Sequence, residues 1–151
     1  MELGKEIKQV KPFRNKYHKA TVNLIFTGKW IVQFHADVFK PYKLTLQQYN
    51  ILRILRGKHP EAVTVKLIRE RMLDRMSDAS RIVEVLRKKG LLERTTHETD
   101  RRRMDVVITK KGMNLLTEID EKENDRIDNH LTTLDEKEIE QLNFLLDKLR
   151  H

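Results

Sequence analysis

The chain has 151 residues, no cysteine and a formal net charge of +8 at pH 7. This length suits a single domain, and the lack of cysteine excludes disulfides, thiolate metal sites and catalysis by a cysteine nucleophile. Hydrophobic residues make up 38% of the chain and charged residues 36%, which is polar for a monomeric globule. We therefore expect helices that share an apolar surface with a partner.

The positive charge is unevenly distributed along the chain. Residues 1–43 and residues 44–108 each carry six more positive than negative side chains, whereas residues 109–151 carry four more negative ones. A basic surface of this kind favours a polyanionic partner, of which nucleic acid is the commonest.

The sequence also disfavours several classes of function and location. It contains no run of about 18 apolar residues and no apolar signal core at the N-terminus, so we expect a cytoplasmic protein without membrane contact. The six histidines lack metal-ligand spacing, and no phosphate-binding loop, nucleophile elbow or acid/base pair occurs. We expect no metal, no cofactor and no enzymatic activity.

A long helix from Phe13 to about Phe39 is the first element that the sequence predicts. Pro12 suits the start of a helix, and the helix closes before Pro41 because the residue ahead of a proline resists the helical conformation. Apolar residues at helical spacing continue for about 27 residues, with an interruption at Gly28, which is too long for a small core to cover. Packing in a core or a dimer is favoured, and a ligand pocket lined by some of the aromatic residues is the alternative.

Two shorter helices follow. Thr45 and Gln48 form a capping box at the start of the first, and Gly57 ends it. Thr64 caps the second, which runs to about Leu73 before the short turn of residues 74–76.

A fourth helix is predicted over Ser77–Lys89, with Ser77 as its cap, Asp78 in its first turn and Gly90 at its stop. Its apolar stripe consists of Ala79, Ile82, Val83 and Leu86. Its opposite face carries Ser77, Arg81, Glu84 and Lys88 and is free to contact a partner.

Two strand-like runs come directly after this helix, Leu91–Thr95 and Met104–Ile108, and predict a hairpin with a basic tip. The tip alone is weak evidence, because most short basic runs on loops are merely solvated. A cationic helix followed at once by such a hairpin is the arrangement of a winged helix-turn-helix, in which the helix enters the major groove and the wing lies along the minor groove.

The C-terminal part predicts two helices. Thr109 caps the first, which runs to about Leu131, and we interpret its charged middle, residues 121–126, as a solvated linker. Thr133 and Glu136 form a capping box for the second helix. That helix carries a heptad seam which needs a partner: Ile139, Leu142, Leu146 and Leu149.

Taken together and in this order, several motifs resemble those of the MarR family of bacterial transcriptional regulators, over about Phe13 to Leu149. The motifs are Leu44-Thr45-x-x-Gln48 with Ile51-Leu52, Arg81-Ile82-Val83-Glu84-x-Leu86-x-x-Lys89-Gly90-Leu91-Leu92-x-Arg94, Asp100-x-Arg102 and Ile108-Thr109-x-x-Gly112.

The resemblance implies a fold that is mainly α with a small β hairpin. One domain, residues 1–151, would contain a winged helix DNA-binding head over residues 44–108. Residues 1–43 and 109–151 would form a helical dimerisation region, for which we name Phe13, Tyr17, Ile139, Leu142, Leu146 and Leu149.

The expected function is a sequence-specific regulator of transcription, a homodimeric repressor on a palindromic operator of double-stranded DNA. The alternative is a winged helix module that binds protein or RNA. Many members of the family release DNA when a small phenolic or carboxylate effector binds, and plausible walls for such a site are Trp30, Phe34, His35, Tyr42 and Tyr49.

Within the head we expect Ser77, Ser80 and Arg81 to contact base edges and Lys88 to contact phosphates. Asp78 and Glu84 could tune selectivity, although a carboxylate near phosphates is unfavourable unless it caps the helix or accepts a hydrogen bond from a cytosine amino group. By resemblance, Arg102 reaches the minor groove and Asp100 orients it, while Arg101 and Arg103 add attraction to phosphates.

Overall fold

The computed structural model describes residues 2–96, 99–100 and 104–151. Its helices are α1 (Leu3–Glu6), α2 (Lys16–Phe39), α3 (Leu46–Arg56), α4 (Val65–Arg71), α5 (Ala79–Lys88), α6 (Lys110–Asp128) and α7 (Glu136–Arg150). Its strands are β1 (Val63–Thr64), β2 (Leu92–Thr96) and β3 (Met104–Ile108). Single 3-10 turns, Lys40–Tyr42 and Asn129–Leu131, follow α2 and α6.

Three helices begin where the sequence predicts. Thr45 accepts a hydrogen bond from the Gln48 backbone N–H, and the Gln48 side chain completes the capping box. Thr64 caps α4 and Thr109 caps α6 in the same way. These threonines satisfy backbone donors that have no partner inside the helix, which is why the starts could be recognised from the sequence.

The prediction for the first long helix was wrong at its start. Helix α2 begins at Lys16, because the Asn15 side chain accepts a hydrogen bond from the backbone N–H of His18, 2.8 Å away. Phe13 therefore precedes the helix. Gly28 does not interrupt it, since one glycine costs a helix only about 1 kcal/mol.

Two predictions in the C-terminal part were also wrong. Residues 121–126 are helical rather than a linker, and ion pairs at helical spacing support them, such as Lys122 with Glu118 at 2.7 Å. Helix α7 is capped by Asp135 with Glu138 rather than by Thr133 with Glu136. Both pairs have the spacing of a capping box, and the acidic pair is the one that forms.

The hairpin is confirmed, and it belongs to a three-stranded antiparallel sheet of order β1-β3-β2. Leu92 pairs with Ile108 and Val63 pairs with Val106. The buried core joins this sheet to α3, α4 and α5 and continues from Val38 to Ile119. A two-residue strand such as β1 leaves no periodic signal that could have predicted it.

Two glycines are required where α5 meets the sheet and α6. Gly90 ends α5 with a φ of +71°, a conformation that other residues rarely adopt. A Cβ atom on Gly112 would overlap the carbonyl oxygen of Leu91, so only glycine lets α6 pack this closely.

Much of the apolar surface of the long helices has no cover within the chain. Helix α7 has no buried residue, and in α2 only Val38 and Phe39 are buried. The chain exposes 11745 Å², whereas a compact monomer of 18.1 kDa exposes about 8,100 Å². None of the described helices combines the length and the apolar character needed to cross a membrane.

Candidate nucleic-acid interface

The turn between α4 and α5 is organised by the carboxylate of Asp74. This carboxylate accepts hydrogen bonds from the Ser77 hydroxyl at 2.7 Å, from the Met76 backbone N–H at 3.0 Å and from the Gln47 amide at 3.4 Å. Because these donors favour the ionised form, they hold the pKa of Asp74 below its usual value. On the other side of the turn, the Leu73 backbone N–H donates to the Asn50 side chain at 3.0 Å.

Helix α5 is capped by Asp78, so the prediction that Ser77 caps it was wrong. The Asp78 carboxylate accepts a hydrogen bond from the Arg81 backbone N–H at 3.1 Å, and the helix begins at Ala79. The Ser77 hydroxyl is already used by Asp74. A carboxylate at this end of the helix is stabilised by the helix dipole, which explains its presence on a surface expected to face phosphates.

This cap predicts the effects of two substitutions. Asp78→Ala should lower the free energy of unfolding by about 1 kcal/mol, whereas Asp78→Asn should lower it by less, because asparagine keeps an acceptor for the Arg81 backbone N–H. Urea denaturation of the two variants would measure this. A larger loss for Ser77→Ala than for Asp78→Ala would contradict the assignment of the cap.

The outer face of α5 is open to solvent. Ser80, Arg81 and Lys88 are exposed, while Ala79, Val83 and Leu86 are buried against the core. Among the described residues, no ion pair involves Arg81. The amphipathic pattern of α5 is therefore confirmed. The guanidinium group of Arg81 is exposed and available to a partner.

Glu84 has a different environment. Its carboxylate pairs with Arg87 at 2.9 Å and with Arg94 of β2 at 3.0 Å, and these contacts lower its pKa, the hydrogen bond from Arg87 contributing most. The carboxylate thus links α5 to the wing. The spacing of Glu84 and Arg87 could have predicted the first contact, but nothing in the sequence indicates the second.

Lys89 differs from its neighbour Lys88, and sequence reasoning assigned it no role. Its ammonium group donates to the carbonyl of Lys43 at 2.5 Å and to the Gln48 side chain at 3.0 Å. Lys111 in turn donates to the carbonyl of Lys89 at 2.9 Å. These contacts hold the C-terminal end of α5 against α3 and α6. Lys89 therefore stabilises the position of α5 and does not belong to its exposed face.

The structure describes part of the wing, which consists of β2, β3 and the loop between them. Strands β2 and β3 pair from Leu92 with Ile108 to Thr96 with Met104, and Asp100 is exposed. Arg101, Arg102 and Arg103 lie outside the described residues, so their contacts with DNA stay predictions.

The five aromatic and histidine side chains named for an effector site lie where α2, α3 and α6 meet. Trp30 and Phe34 both stack on His130, with ring centroids 4.2 Å and 3.5 Å apart. His35 has an edge contact with Phe34, and Tyr49 stacks on the buried Phe39. His130 itself is half-buried between the two rings.

Tyr42 connects this cluster to α6. Its hydroxyl donates to Glu123 at 2.9 Å, and burial together with this carboxylate raises the pKa of Tyr42 to about 12. A separate groove of about 540 Å³ lies between α2 and α3 and is lined by other residues, among them Lys40 and Lys43. The five predicted side chains therefore contact neighbouring rings and polar groups rather than line this groove.

A pair of arginines also joins the head to α6. Arg56 and Arg53 of α3 contact the two carboxylate oxygens of Asp120 at 2.6 Å and 3.0 Å. Together with the contact of Tyr42 and Glu123, they fix the position of α3 and of the turn before it against α6.

Comparison with known proteins agrees with this architecture. Residues 42–103 match the model of a family described as the MarR family. A MarR transcription factor from Planctomyces limnophilus is 28% identical, with 90% of this chain and 98% of that chain covered and a TM-score of 0.66. No match was found among curated proteins.

Two further solved structures are similar in fold. A mutant MarR from E. coli complexed with operator DNA is 18% identical over 99% of both chains, with a TM-score of 0.77. MepR from S. aureus in a DNA complex is 21% identical over 85% of this chain and 94% of that chain, with a TM-score of 0.74.

The helices α4 and α5 with the sheet that follows them define a winged helix-turn-helix protein, and the expected fold class is confirmed. Residues 42–103 match the MarR family, and the chain as a whole is similar in fold to the solved MarR structures.

Proposed function

We propose that this chain is a homodimeric, sequence-specific DNA-binding regulator of transcription. The observation that carries the proposal is the outer face of α5, where Ser80, Arg81 and Lys88 are exposed. Helix α5 is the second helix of the helix-turn-helix, which is the helix that enters the major groove in such proteins. The carboxylates beside this face are engaged within the chain: Asp74 in the turn, Asp78 in the cap and Glu84 with two arginines. The surface offered to a polyanion is therefore cationic.

The uncovered helices support the dimer. The surface in excess of a compact monomer amounts to about 3,600 Å² per chain, or about 7,200 Å² for two chains, which is enough for the roughly 2,000–5,000 Å² that obligate dimers bury in total. Its largest exposed apolar side chains include Tyr17 on α2 and Phe144 and Leu149 on α7. A second copy would cover them, and two-fold symmetry would then place two α5 helices on an inverted repeat.

Two finer features belong to the same proposal. The protein acts as a repressor, and a small aromatic or carboxylate effector releases it by binding among Trp30, Phe34, His35, Tyr42 and Tyr49. The support for this site is its position between α2, α3 and α6. Stacked rings such as Phe34 and His130 lie there, and the Tyr42 hydroxyl adds a polar group beside them.

Selection of bound duplexes from a random pool tests the function. We expect enrichment of an inverted repeat with half-sites about 34 Å apart. Affinity for that duplex should fall steeply with salt, with a slope of about −0.9 in log K against log salt for each phosphate that is neutralised. The same selection with an RNA pool is the control for the alternative function. Enrichment of RNA alone, or equal binding to all duplexes, would contradict the proposal.

A further inference from the structure

Two large apolar side chains protrude from the turn between α4 and α5. Met76 is 95% exposed and Leu73 is 83% exposed. Single exposed apolar residues are common on protein surfaces, but Met76 lies only three residues before the first residue of α5, on the side of the molecule where the proposed DNA contacts begin.

The backbone holds Met76 in this exposed place. Its N–H donates to the Asp74 carboxylate at 3.0 Å, and the next residue, Ser77, binds the same carboxylate through its hydroxyl. Gln47 ties that carboxylate to α3, and Asp78 then caps α5. Because these contacts hold the backbone on both sides of Met76, its side chain stays in water unless a partner covers it, and covering it would be favourable.

The charges around Met76 indicate the chemistry of that partner. Arg75 and Arg81 are exposed on either side in the sequence, and the nearby Asp74 and Asp78 are satisfied by hydrogen bonds within the turn and the cap. An exposed apolar group on a cationic surface matches a polyanion that carries methyl groups. In the major groove of DNA, that group is the C5 methyl of thymine.

We propose that Met76 is a sequence-reading residue that packs on the C5 methyl group of one thymine in each half-site. This inference rests on the proposed function, because it needs a major groove against α5. It assigns base selectivity to a residue of the turn, in addition to the polar side chains of the helix.

The test replaces thymine by deoxyuridine, which removes only the methyl group. In the duplex recovered by selection, each symmetry-related pair of thymines is replaced in turn, and binding is titrated at fixed salt. Burial of one methyl-sized group is worth about fourfold in affinity per half-site. Replacing the pair of thymines that contacts Met76 in the two half-sites should therefore weaken wild-type binding by about tenfold or more. Met76→Ala should bind the thymine and deoxyuridine duplexes equally at that pair.

Two variants serve as controls. Met76→Leu should keep a preference for thymine, since leucine is also apolar and of similar size. Leu73→Ala removes the other exposed apolar side chain of the same turn and should leave the preference unchanged. If wild type enriches a specific duplex but Met76→Ala is as sensitive to every methyl group as wild type, the assignment of Met76 is overturned and the proposed function stands. If wild type enriches no specific duplex, both are overturned.

Discussion

Leu142→Glu together with Leu146→Glu is expected to convert the dimer into a monomer and to weaken operator binding by about 100-fold or more. Leu142 lies on the exposed apolar seam of α7 and Leu146 is half-buried there. Charged side chains in a seam between copies would have to be buried without partners, which is costly. Each head would then bind its half-site alone and lose the gain that comes from linking two binding events.

The core of the head should survive this change, because α7 has no buried residue. Sedimentation would give the mass, circular dichroism would report folding, and titration of one operator duplex would give the affinity. Gln141→Glu with Lys148→Gln is the matched control, since it changes the charge of α7 by the same two units away from the seam. A folded wild-type monomer at micromolar concentration, or equal dissociation of the control, would contradict the dimer.

Arg81→Ala is expected to have the second large effect, a loss of specific affinity of about 30-fold or more. A side chain that contacts a base edge is worth about 1–3 kcal/mol, and a dimer loses this contact in both heads. Arg81 is exposed and its backbone is held by the cap, so the substitution removes the guanidinium group without disturbing the start of α5.

Arg87→Ala is the matched control on the same helix. It removes the same charge, but the Arg87 guanidinium group is held by Glu84, so it should cost only general attraction to phosphates. Arg81→Lys should keep the salt dependence and lose selectivity, since lysine has no bidentate geometry. Titrations of the selected duplex and of a random duplex would separate these effects. Equal losses of affinity for Arg81→Ala and Arg87→Ala would contradict a base contact by Arg81 and would mean that the face of α5 attracts DNA only through its positive charge.

The sequence by itself determined the order of the longer helices and of the β2–β3 hairpin, the amphipathic α5 and the starts of helices where only one residue could serve as the cap. Thr45, Thr64 and Thr109 are each the only residue near the start of the helix whose side chain could cap it, so local chemistry decided these three starts. The hairpin and the uncovered seam of α7 could be recognised for a similar reason, because alternation and heptad spacing are properties of neighbouring residues.

Only the tertiary structure decided between competing local solutions. Ser77 and Asp78 could both cap α5, and the choice depends on Asp74, which takes the Ser77 hydroxyl and is itself held by Gln47 of α3. The link from Glu84 to Arg94 and the position of His130 between Trp30 and Phe34 likewise join residues far apart in the chain. Such contacts carry no periodic signal, because they form only when separate elements have packed together and their side chains compete for the same partners.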